Sequence, residues 1–499
     1  MSNRLVAGVD SSTQSCKIMI RDADTGVLVR SGMAFHRTGT TVNPAVWVRA
    51  FDEAVQQAGG LEDICAISVA GQQHGLVTLD ENGEVVRDAV LWNDTSAGAD
   101  AKDLITELGR GDDTAGRKAW VAKTGSVPVS SLTVSKLRHL AVNEPENLSR
   151  TRAIALPHDY LTWKITKRNK ITDLVTDRSD ASGTGYFDPV ENVYLPDILE
   201  LAAGKSGADL VLPKVLGPHT PVGEFSVLGH EMLVGPGAGD NAGAALGLDQ
   251  KPGHVIISLG TSGVVSLVSK KPTCDEIGEV TGFADATGNY LPLVCTLNAS
   301  RVLDTTAAAL GVNYERFSEF ALSAPPGSEG LVMVPYLTGE RTPNAPLATG
   351  SLLGIRGDNL TASNIARAAV EGMLCLVGYG LEIFKRLGVE VNAVSLIGGG
   401  AKSEAVRRIA PSVLGVKVTI PETGEYVADG AARQAAWVLN GGTRPPVWSP
   451  RLTSSYTAQS QPFIMERYQE VNGLYADTTQ LELELSLIHI SEPTRLGMI

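Results

Sequence analysis

One construction occurs twice in this chain of 499 residues, and the repetition limits its fold more than any other feature. An apolar strand, Leu5–Val9, leads into a turn rich in Ser, Thr and Gln and then into a second apolar strand, Ile18–Ile20. The segment Val255–Val265 repeats this order of strand, small hydroxyl turn and strand. Two such hairpins predict two related α/β domains that present their turns to one another across a cleft.

The first turn contains the kinds of group that can bind phosphate and magnesium. Asp10 precedes the turn and Lys17 follows it. Hydroxyls and backbone N–H groups in a tight turn can surround phosphate oxygens, and a neighbouring carboxylate can ligate magnesium. The structural alternative is a polar hairpin tip in which Asp10 only stabilises the turn.

The chain is too long for one hydrophobic core and suits two domains of about 240 residues each. Around Leu216–Asp240 the sequence becomes rich in Gly and Pro, and a new series of strands begins at His254. We therefore predict a first domain over residues 1–247 and a second over 248–485. Residues 486–499 continue no periodic pattern, which predicts a disordered tail or an expression scar.

Charge and cysteine content exclude several classes of protein. The 42 Lys and Arg residues against 55 Asp and Glu give a net charge of −13, which disfavours nucleic-acid and membrane-surface binding. The N-terminus lacks the zones of a signal peptide, and the longest uncharged window, Pro252–Ser269, is too rich in Gly, Ser and Thr to span a membrane. Five scattered cysteines lack metal-ligand or thiol-redox spacing. We expect a cytoplasmic protein whose partners are small molecules.

Alternating strand and helix patterns predict the α/β class. A long helix is predicted over Thr361–Leu387, with Thr361 or Ser363 as N-cap. The other predicted elements include strands Leu5–Val9, Ile64–Val69, Leu76–Leu79, Ala153–Leu156 and Val391–Ile397, and helices Trp47–Ala58, Ser135–Val142 and Ser403–Leu414.

A glycine-rich turn at Gly235–Gly239 delivers one carboxylate, Asp240, to the start of a helix of very small residues. The helix dipole favours the ionised carboxylate, which could accept the proton of a substrate hydroxyl during phosphoryl transfer. The structural alternative is that Asp240 only caps the helix.

Polar residues also gather at the ends of predicted strands. The segment Gly71–Gly75 contains two glutamines and His74, and Trp92–Asp94 follows another strand. Amides, an imidazole, an indole and an acid at loop tips favour recognition of a polyhydroxylated ligand over simple packing. Two further polar loops, Leu156–Leu161 and Thr176–Thr184, are equally explained by helix capping and turn formation.

In the second half, Gly398–Ser403 lies between a strand and a helix, where nucleotides commonly contact backbone amides. The segment matches neither the dinucleotide fingerprint nor the P-loop, which disfavours both of those enzyme classes. Gly339–Pro343 predicts a turn ordered by an ion pair between Glu340 and Arg341.

Taken together, these motifs resemble the FGGY family of carbohydrate kinases over residues 4 to 440. The resemblance implies two ribonuclease-H-like, actin-type domains around a deep cleft, with ATP and Mg²⁺ as cofactors. It implies Asp240 as catalytic base and Asp10 as the carboxylate near the metal. Glycerol kinases carry an Arg-Glu pair where this chain has Gln73 and His74, which favours a pentulose, D-xylulose, phosphorylated at O5.

The resemblance also assigns the remaining site residues. The sugar is expected at Gln73, His74, Trp92, Asp240 and Asn241, and the phosphates and nucleotide at Ser12, Thr13, Gln14, Lys17, Gly260, Thr261, Gly399, Gly400, Ala401 and Ser403. Ser12 departs from the family, which more often has Gly there, so its side chain either crowds a phosphate oxygen or donates to it.

Two other functions compete with this interpretation. One is a kinase of another sugar or polyol, such as ribulose, gluconate, a deoxysugar or glycerol. The other is a non-catalytic actin-type protein that binds sugar or nucleotide, against which the intact Asp10 and Asp240 argue. The oligomeric state is left open, with a homodimer as one candidate.

Overall fold

The structure of this chain is a computed structural model. It describes residues 4–227, 230–448 and 453–473. The tail predicted over 486–499 lies outside the described residues, and the domain boundary predicted at 247/248 stays a prediction.

The strands, in chain order, are β1 (Leu5–Ser11), β2 (Ser15–Asp22), β3 (Leu28–Phe35), β4 (Thr41–Val42), β5 (Ile64–Gly71), β6 (Val77–Leu79), β7 (Ala89–Val90), β8 (Ala153–Ala155), β9 (Val175–Asp177), β10 (Phe187–Asp188), β11 (Val193–Tyr194), β12 (Lys214–Leu216), β13 (Gly223–Val227), β14 (His230–Val234), β15 (Ala238–Gly239), β16 (His254–Leu259), β17 (Gly263–Leu267), β18 (Thr281–Ala284), β19 (Tyr290–Thr296), β20 (Val332–Val334), β21 (Ser351–Leu353), β22 (Ala393–Ile397), β23 (Val418–Pro421) and β24 (Thr453–Tyr456).

The α-helices are α1 (Ala45–Gln57), α2 (Gly98–Leu108), α3 (Asp113–Thr124), α4 (Thr133–Asn143), α5 (Pro145–Arg150), α6 (Pro157–Ile165), α7 (Arg178–Ala181), α8 (Pro196–Ala203), α9 (Lys205–Ala208), α10 (Asp240–Gly247), α11 (Ser300–Ala309), α12 (Tyr314–Ser323), α13 (Ala362–Arg386), α14 (Glu404–Leu414) and α15 (Tyr426–Asn440).

The chain divides into two compact units. The first unit holds the described residues of Met1–Pro252, Leu267–Leu293 and Gly424–Pro450, and the second holds those of Gly253–Ser266, Val294–Thr423 and Arg451–Ile499. Each unit combines a sheet with helices, so the predicted α/β class is confirmed.

The first unit is built on a seven-stranded sheet. Its strand order is β13-β14-β5-β1-β2-β3, with β15 pairing separately with β5. β1 and β2 form the predicted antiparallel hairpin, in which Asp10 lies opposite Lys17. β1 is buried along its whole length, because apolar residues on both of its faces pack under helices of this unit.

Helix α15 returns from the far end of the sequence to cover this sheet. A Cβ atom at Gly8 of β1 would lie 2.0 Å from the carbonyl oxygen of Ala428, and one at Gly430 would lie 1.8 Å from that of Gly243 in α10. Only glycine allows such close backbone approach. The small residues of α10 and α15 therefore fix the position of α10, which begins at Asp240.

In the second unit, β17, β16, β22, β23 and β24 are neighbours in that order. The predicted long helix is confirmed as α13, and the Thr361 side chain caps it by accepting the N–H of Asn364. The helix predicted after the glycine turn is confirmed as α14, with Ser403 as its N-cap. None of the five cysteines forms a disulfide bond. No helix among the described residues is long and apolar enough to cross a membrane.

Candidate active site

Three strand ends of the first unit bring the candidate catalytic residues to one place. β5 runs parallel to β1, so that Ser11 lies opposite Gly71. β15 pairs with the same end of β5, with Gly239 opposite Gly71. Because these parallel strands end together, the residues that follow them, including Asp240, meet at one edge of the sheet.

Asp240 is held by its own neighbours on α10. Its Oδ1 accepts the backbone N–H of Asn241 at 2.7 Å and the Asn241 side-chain amide at 2.8 Å. The same amide nitrogen donates to Oε1 of Gln73 at 3.2 Å. The base candidate and two predicted sugar ligands thus form one hydrogen-bonded chain.

The pKa values of both carboxyl groups are displaced, mainly by burial. Burial, followed by the charge of Asp10, raises the pKa of Asp240 to about 7, while the hydrogen bonds from Asn241 oppose the change. Burial also raises the pKa of Asp10 to about 7, against the lowering effect of Lys17. A carboxyl group whose pKa lies near neutrality can both accept and release a proton in catalysis.

The surroundings of Asp10 fit a divalent cation. Its Oδ1 is buried and has no hydrogen-bond partner among the described residues. Carboxylate oxygen is the ligand that Mg²⁺ prefers, and an unpaired buried oxygen costs free energy that a cation offsets. The donor set is therefore compatible with the predicted magnesium.

The first turn is ordered by side chains that the sequence analysis assigned to phosphate. Ser12 Oγ donates to the backbone oxygen of Ser15 at 2.9 Å, so this hydroxyl closes the turn. Thr13 Oγ1 donates to Oε1 of Gln72 at 3.3 Å and accepts the indole N–H of Trp92 at 2.9 Å. Trp92 remains 44% exposed, which leaves its ring available to a ligand.

Lys17 lies inside β2 rather than in the turn itself. Its Nζ is 2.6 Å from Oε2 of Glu425 and 4.0 Å from Oδ2 of Asp10. The ammonium therefore joins α15's N-terminal flank to the site and lowers the pKa of Asp10. The sequence analysis missed Glu425, because 408 residues separate it from Lys17.

His74 occupies an unusual backbone conformation, with φ of 67°. Its Nδ1 lies 2.8 Å from the backbone oxygen of Gly183, and since a carbonyl only accepts, Nδ1 carries the hydrogen. A Cβ atom at Gly183 would lie 2.7 Å from the His74 ring. A strained backbone and a bonded ring at a candidate binding site are typical of a preorganised ligand contact.

The predicted nucleotide residues come together in the second unit. The backbone oxygens of Gly260 and Thr261 accept N–H groups from Ser300 and Ala299 at 2.8 and 3.0 Å. A Cβ atom at Gly400 would lie 2.9 Å from the Cβ of Leu259, so the glycine triplet packs against the end of β16.

A cavity of about 770 Å³ opens beside the glycine triplet. Its lining includes Gly399, Lys402 and Ser403 from the glycine turn and Ser300 from α11. Tyr314, at the start of α12, also lines it and was missed by the sequence analysis, since an exposed tyrosine in an amphipathic helix carries no local signal.

The predicted ion pair between Glu340 and Arg341 is wrong. The Glu340 carboxylate is buried and accepts the backbone N–H groups of Leu297 and Arg341 and the side-chain amide of Asn298. Amide donors satisfy a buried carboxylate without the desolvation cost of a second charge. Glu340 therefore orders two loops of the second unit.

Comparison with known proteins yields matches along most of the chain. A model of the FGGY family of carbohydrate kinases, N-terminal domain, matches residues 5–247, and a model of the C-terminal domain of that family matches residues 255–439. A xylulose kinase from Streptomyces rubiginosus is 42% identical over 450 residues, which cover 88% of each chain.

Solved structures give a consistent result. The crystal structure of a xylulose kinase from Bifidobacterium adolescentis is 48% identical, with a TM-score of 0.89, over 94% of this chain and 99% of that one. The crystal structure of a glycerol kinase from Plasmodium falciparum with ADP has a TM-score of 0.80 at 17% identity, over 96% of this chain and 98% of that one. At this identity the similarity concerns the fold alone. The predicted actin-type fold is confirmed.

Proposed function

Since this chain belongs to the FGGY family of carbohydrate kinases, we propose that it transfers the terminal phosphoryl group of ATP to O5 of D-xylulose. The observation that carries the proposal is the half-buried carboxylate of Asp240, which is hydrogen-bonded through Asn241 to Gln73. The similarity to xylulose kinases, at 42% and 48% identity, supports the choice of sugar.

In this proposal Asp240 is the general base. A pKa of about 7 leaves a large ionised fraction at neutral pH while making the carboxylate a stronger base than a solvated one. It accepts the proton of the sugar hydroxyl as that oxygen bonds to phosphorus and the bond to the leaving ADP oxygen breaks.

Gln73, His74, Asn241 and Trp92 bind the sugar. Because Asn241 Nδ2 already donates to both Asp240 and Gln73, the amide chain holds the base at a constant distance from the sugar-binding side chains. The hydrogen bond from Nδ1 to the Gly183 carbonyl fixes the orientation of the His74 ring. A polar ring of fixed orientation suits the recognition of a sugar hydroxyl.

ATP is assigned to the second unit, with its phosphates at the turns that contain Gly260, Thr261, Gly399, Gly400 and Ala401. Ser403 and the cavity of about 770 Å³ beside the glycine turn are assigned to the nucleoside. Ser12, Thr13, Gln14 and Lys17 are assigned to the transferred phosphoryl group. Asp10 would hold Mg²⁺, which when bound neutralises charge on the phosphate oxygens.

A sugar panel tests the substrate. Purified protein with ATP and Mg²⁺ is assayed for ADP release with D-xylulose, D-ribulose, glycerol and D-gluconate, and NMR locates the phosphate on the product. We expect the highest kcat/KM for D-xylulose, at least about tenfold above D-ribulose and glycerol, because unmatched hydroxyls leave buried polar groups unpaired. A higher kcat/KM for any other sugar in the panel would overturn the choice of xylulose.

The variant His74→Ala tests the assigned recognition residue. We expect it to lower kcat/KM for D-xylulose more than for the poorer substrates, and so to reduce the preference. His139→Gln is a suitable control, because His139 bonds to Asp100 on helices α4 and α2, outside the sugar-binding residues. A cytoplasmic location and a homodimer remain parts of this proposal.

A further inference from the structure

A buried cluster of one imidazole and three carboxylates lies in the first unit and has no part in the mechanism so far. His158, at the start of α6, is completely buried, as are Asp159 and Asp180. Its Nδ1 donates to Oδ2 of Asp180 at 2.6 Å. Its Nε2 lies 3.3 Å from Oδ1 of Asp159 and 4.0 Å from Oδ1 of Asp177.

This cluster lies directly beneath the turn that delivers Asp240. A Cβ atom at Gly237, where φ is 89°, would lie 2.3 Å from Cδ2 of His158 and 2.5 Å from its Nε2. A Cβ at Gly71 would lie 3.0 Å from the Cβ of His158. The imidazole thus contacts both the glycine turn and the end of β5 that precedes the sugar-binding residues.

A second connection runs through α7. The backbone N–H of Gly239 donates to Oγ of Ser179 at 3.1 Å, and Asp177 accepts the N–H groups of Ser179 and Asp180 as the N-cap of that helix. The residue before Asp240 is therefore attached to the same short helix that supplies Asp180 to His158.

We propose that His158 is a positioning residue for catalysis: as an imidazolium among three carboxylates, it holds the turn Gly237–Gly239 and thereby sets the position of Asp240. Buried carboxylates repel one another unless a cation lies among them. Without the cation, α6 and α7 separate or the carboxyl groups take up protons, and either change moves the turn. The inference rests on the proposed function, because it assigns catalysis to Asp240.

The surrounding charges agree with this assignment. The charges of Asp159, Asp180 and Asp177 raise the pKa of His158 to about 10 in spite of its burial, so the ring remains protonated at neutral pH. Burial raises the pKa of Asp180 to about 6 against the lowering effect of His158, and the charge of Asp240 adds to the rise, which links the cluster electrostatically to the base.

The experiment compares kcat and both KM values of His158→Gln, His158→Lys and wild type in the ADP-release assay, with the best sugar of the panel. We expect at least a tenfold loss of kcat in His158→Gln, with each KM within about twofold of wild type, because misplacing a base reduces turnover more than binding. His158→Lys, which keeps a cation, should recover at least half of the lost kcat on a logarithmic scale.

The matched control is His139→Gln, since His139 also donates to an aspartate, Asp100, but makes no contact with the glycine turn. It should retain the wild-type kcat. If His158→Gln does not fold, Ser179→Ala decides, because it removes the acceptor of the Gly239 N–H, together with the hydrogen bond of the Ser179 hydroxyl to Asp177, and should lower kcat about threefold at constant KM.

Several outcomes would overturn the inference. These are a His158→Gln variant that is folded and has wild-type kcat but a lower melting temperature, a loss that Lys does not recover, and an unchanged kcat in Ser179→Ala where that variant decides. A wild type without turnover on any sugar would instead refute the proposed function, and this inference with it.

Discussion

The two repeated hairpins share a backbone plan but use it differently. In the first, β1 ends in a buried carboxylate, Asp10, and the turn is ordered by side-chain hydroxyls. In the second, β16 ends in Leu259, and the Gly260 and Thr261 backbone oxygens make the hydrogen bonds. The first hairpin therefore supplies reactive side chains, whereas the second supplies backbone groups.

The two units also differ in how they accommodate buried charged groups. The first unit contains Asp10, Asp240 and the His158 cluster, whose pKa values are displaced towards neutrality or beyond. In the second unit, the buried carboxylate of Glu371 is paired with the guanidinium of Arg367 at 2.6 Å, and that of Glu340 accepts three amide N–H groups. In the proposed function, the reactive charges therefore lie on the side of the sugar and the glycine turns bind the nucleotide, since backbone N–H groups bind phosphate without titrating.

The largest effect is expected at Asp240. Asp240→Asn keeps an oxygen that can accept the Asn241 bonds but removes the base, and general-base assistance is worth about 10²–10⁴-fold. We expect kcat to fall by at least about 100-fold while sugar binding, measured by calorimetry, persists. Asp197→Asn, at an exposed aspartate paired with Lys123, is the control. Near-normal turnover in Asp240→Asn would remove this residue from the mechanism.

Asp10→Asn tests the first hairpin directly. A metal ligand contributes to catalysis because the metal that it holds neutralises charge on the phosphates. We therefore expect kcat to fall about 100-fold and the Mg²⁺ concentration for half-maximal rate to rise. A Mg²⁺ titration at saturating sugar and ATP measures both quantities. An unchanged Mg²⁺ requirement would show that the hairpin acts without this carboxylate, and the contrast between the two hairpins would disappear.

The pH dependence of stability sharpens the contrast between the units. The pKa of His158 rises from 6.5 to about 10 on folding, so its contribution is fully present below pH 6.5 and is lost as the pH rises through 10. From this group, urea unfolding should show a contribution to the free energy of unfolding that decreases above pH 7, by at most about 1.4 kcal/mol per pH unit. Burial lowers the pKa of Lys136 to about 7, and that group contributes a slope of opposite sign in the same range, so the comparison between variants carries the test.

The same titration in His158→Gln isolates the origin of the slope. The slope should be smaller in this variant and unchanged in His139→Gln. The Arg367–Glu371 pair of the second unit adds no such slope, because arginine keeps its charge throughout this range. Equal slopes in His158→Gln and wild type would contradict the assignment of a charged imidazole.

The smallest effect is expected in the second hairpin. Thr261→Val keeps the shape and removes an exposed hydroxyl, while the backbone bonds from Ser300 and Ala299 remain. We expect the KM for ATP to rise by no more than about threefold with kcat unchanged, in line with the loss of one neutral hydrogen bond. A loss of tenfold or more would mean that the second hairpin also depends on side-chain chemistry.

Local patterns predicted the fold well where neighbours in sequence are neighbours in space. The small residues after Asp240 form α10, and Thr361 caps α13, because these are short-range effects of sterics and hydrogen bonding. The capping alternatives proposed for the two polar loops also hold, since Asp177 caps α7 and Asp159 accepts the N–H of Leu156.

Long-range contacts could not be predicted in this way. Nothing in the sequence near Lys17 indicates its partner Glu425, because tertiary packing brings the two together. The same holds for Glu340 and its partners Leu297 and Asn298. For the same reason the loops of His158 and Asp180 were identified separately, while their pairing at 2.6 Å appears only in the folded chain. The assignments of individual residues to sugar, metal and nucleotide stay predictions.

The position of α15 in the sequence has a consequence for biosynthesis. This helix covers Val6 and Ala66 of the first sheet with Ala432 and Ala435, yet it is translated after most of the second unit. During synthesis on the ribosome, an apolar face of the first sheet therefore stays uncovered until α15 has been translated. A chain that terminates before residue 426 cannot complete its N-terminal half, and such premature products become targets for chaperones and proteases.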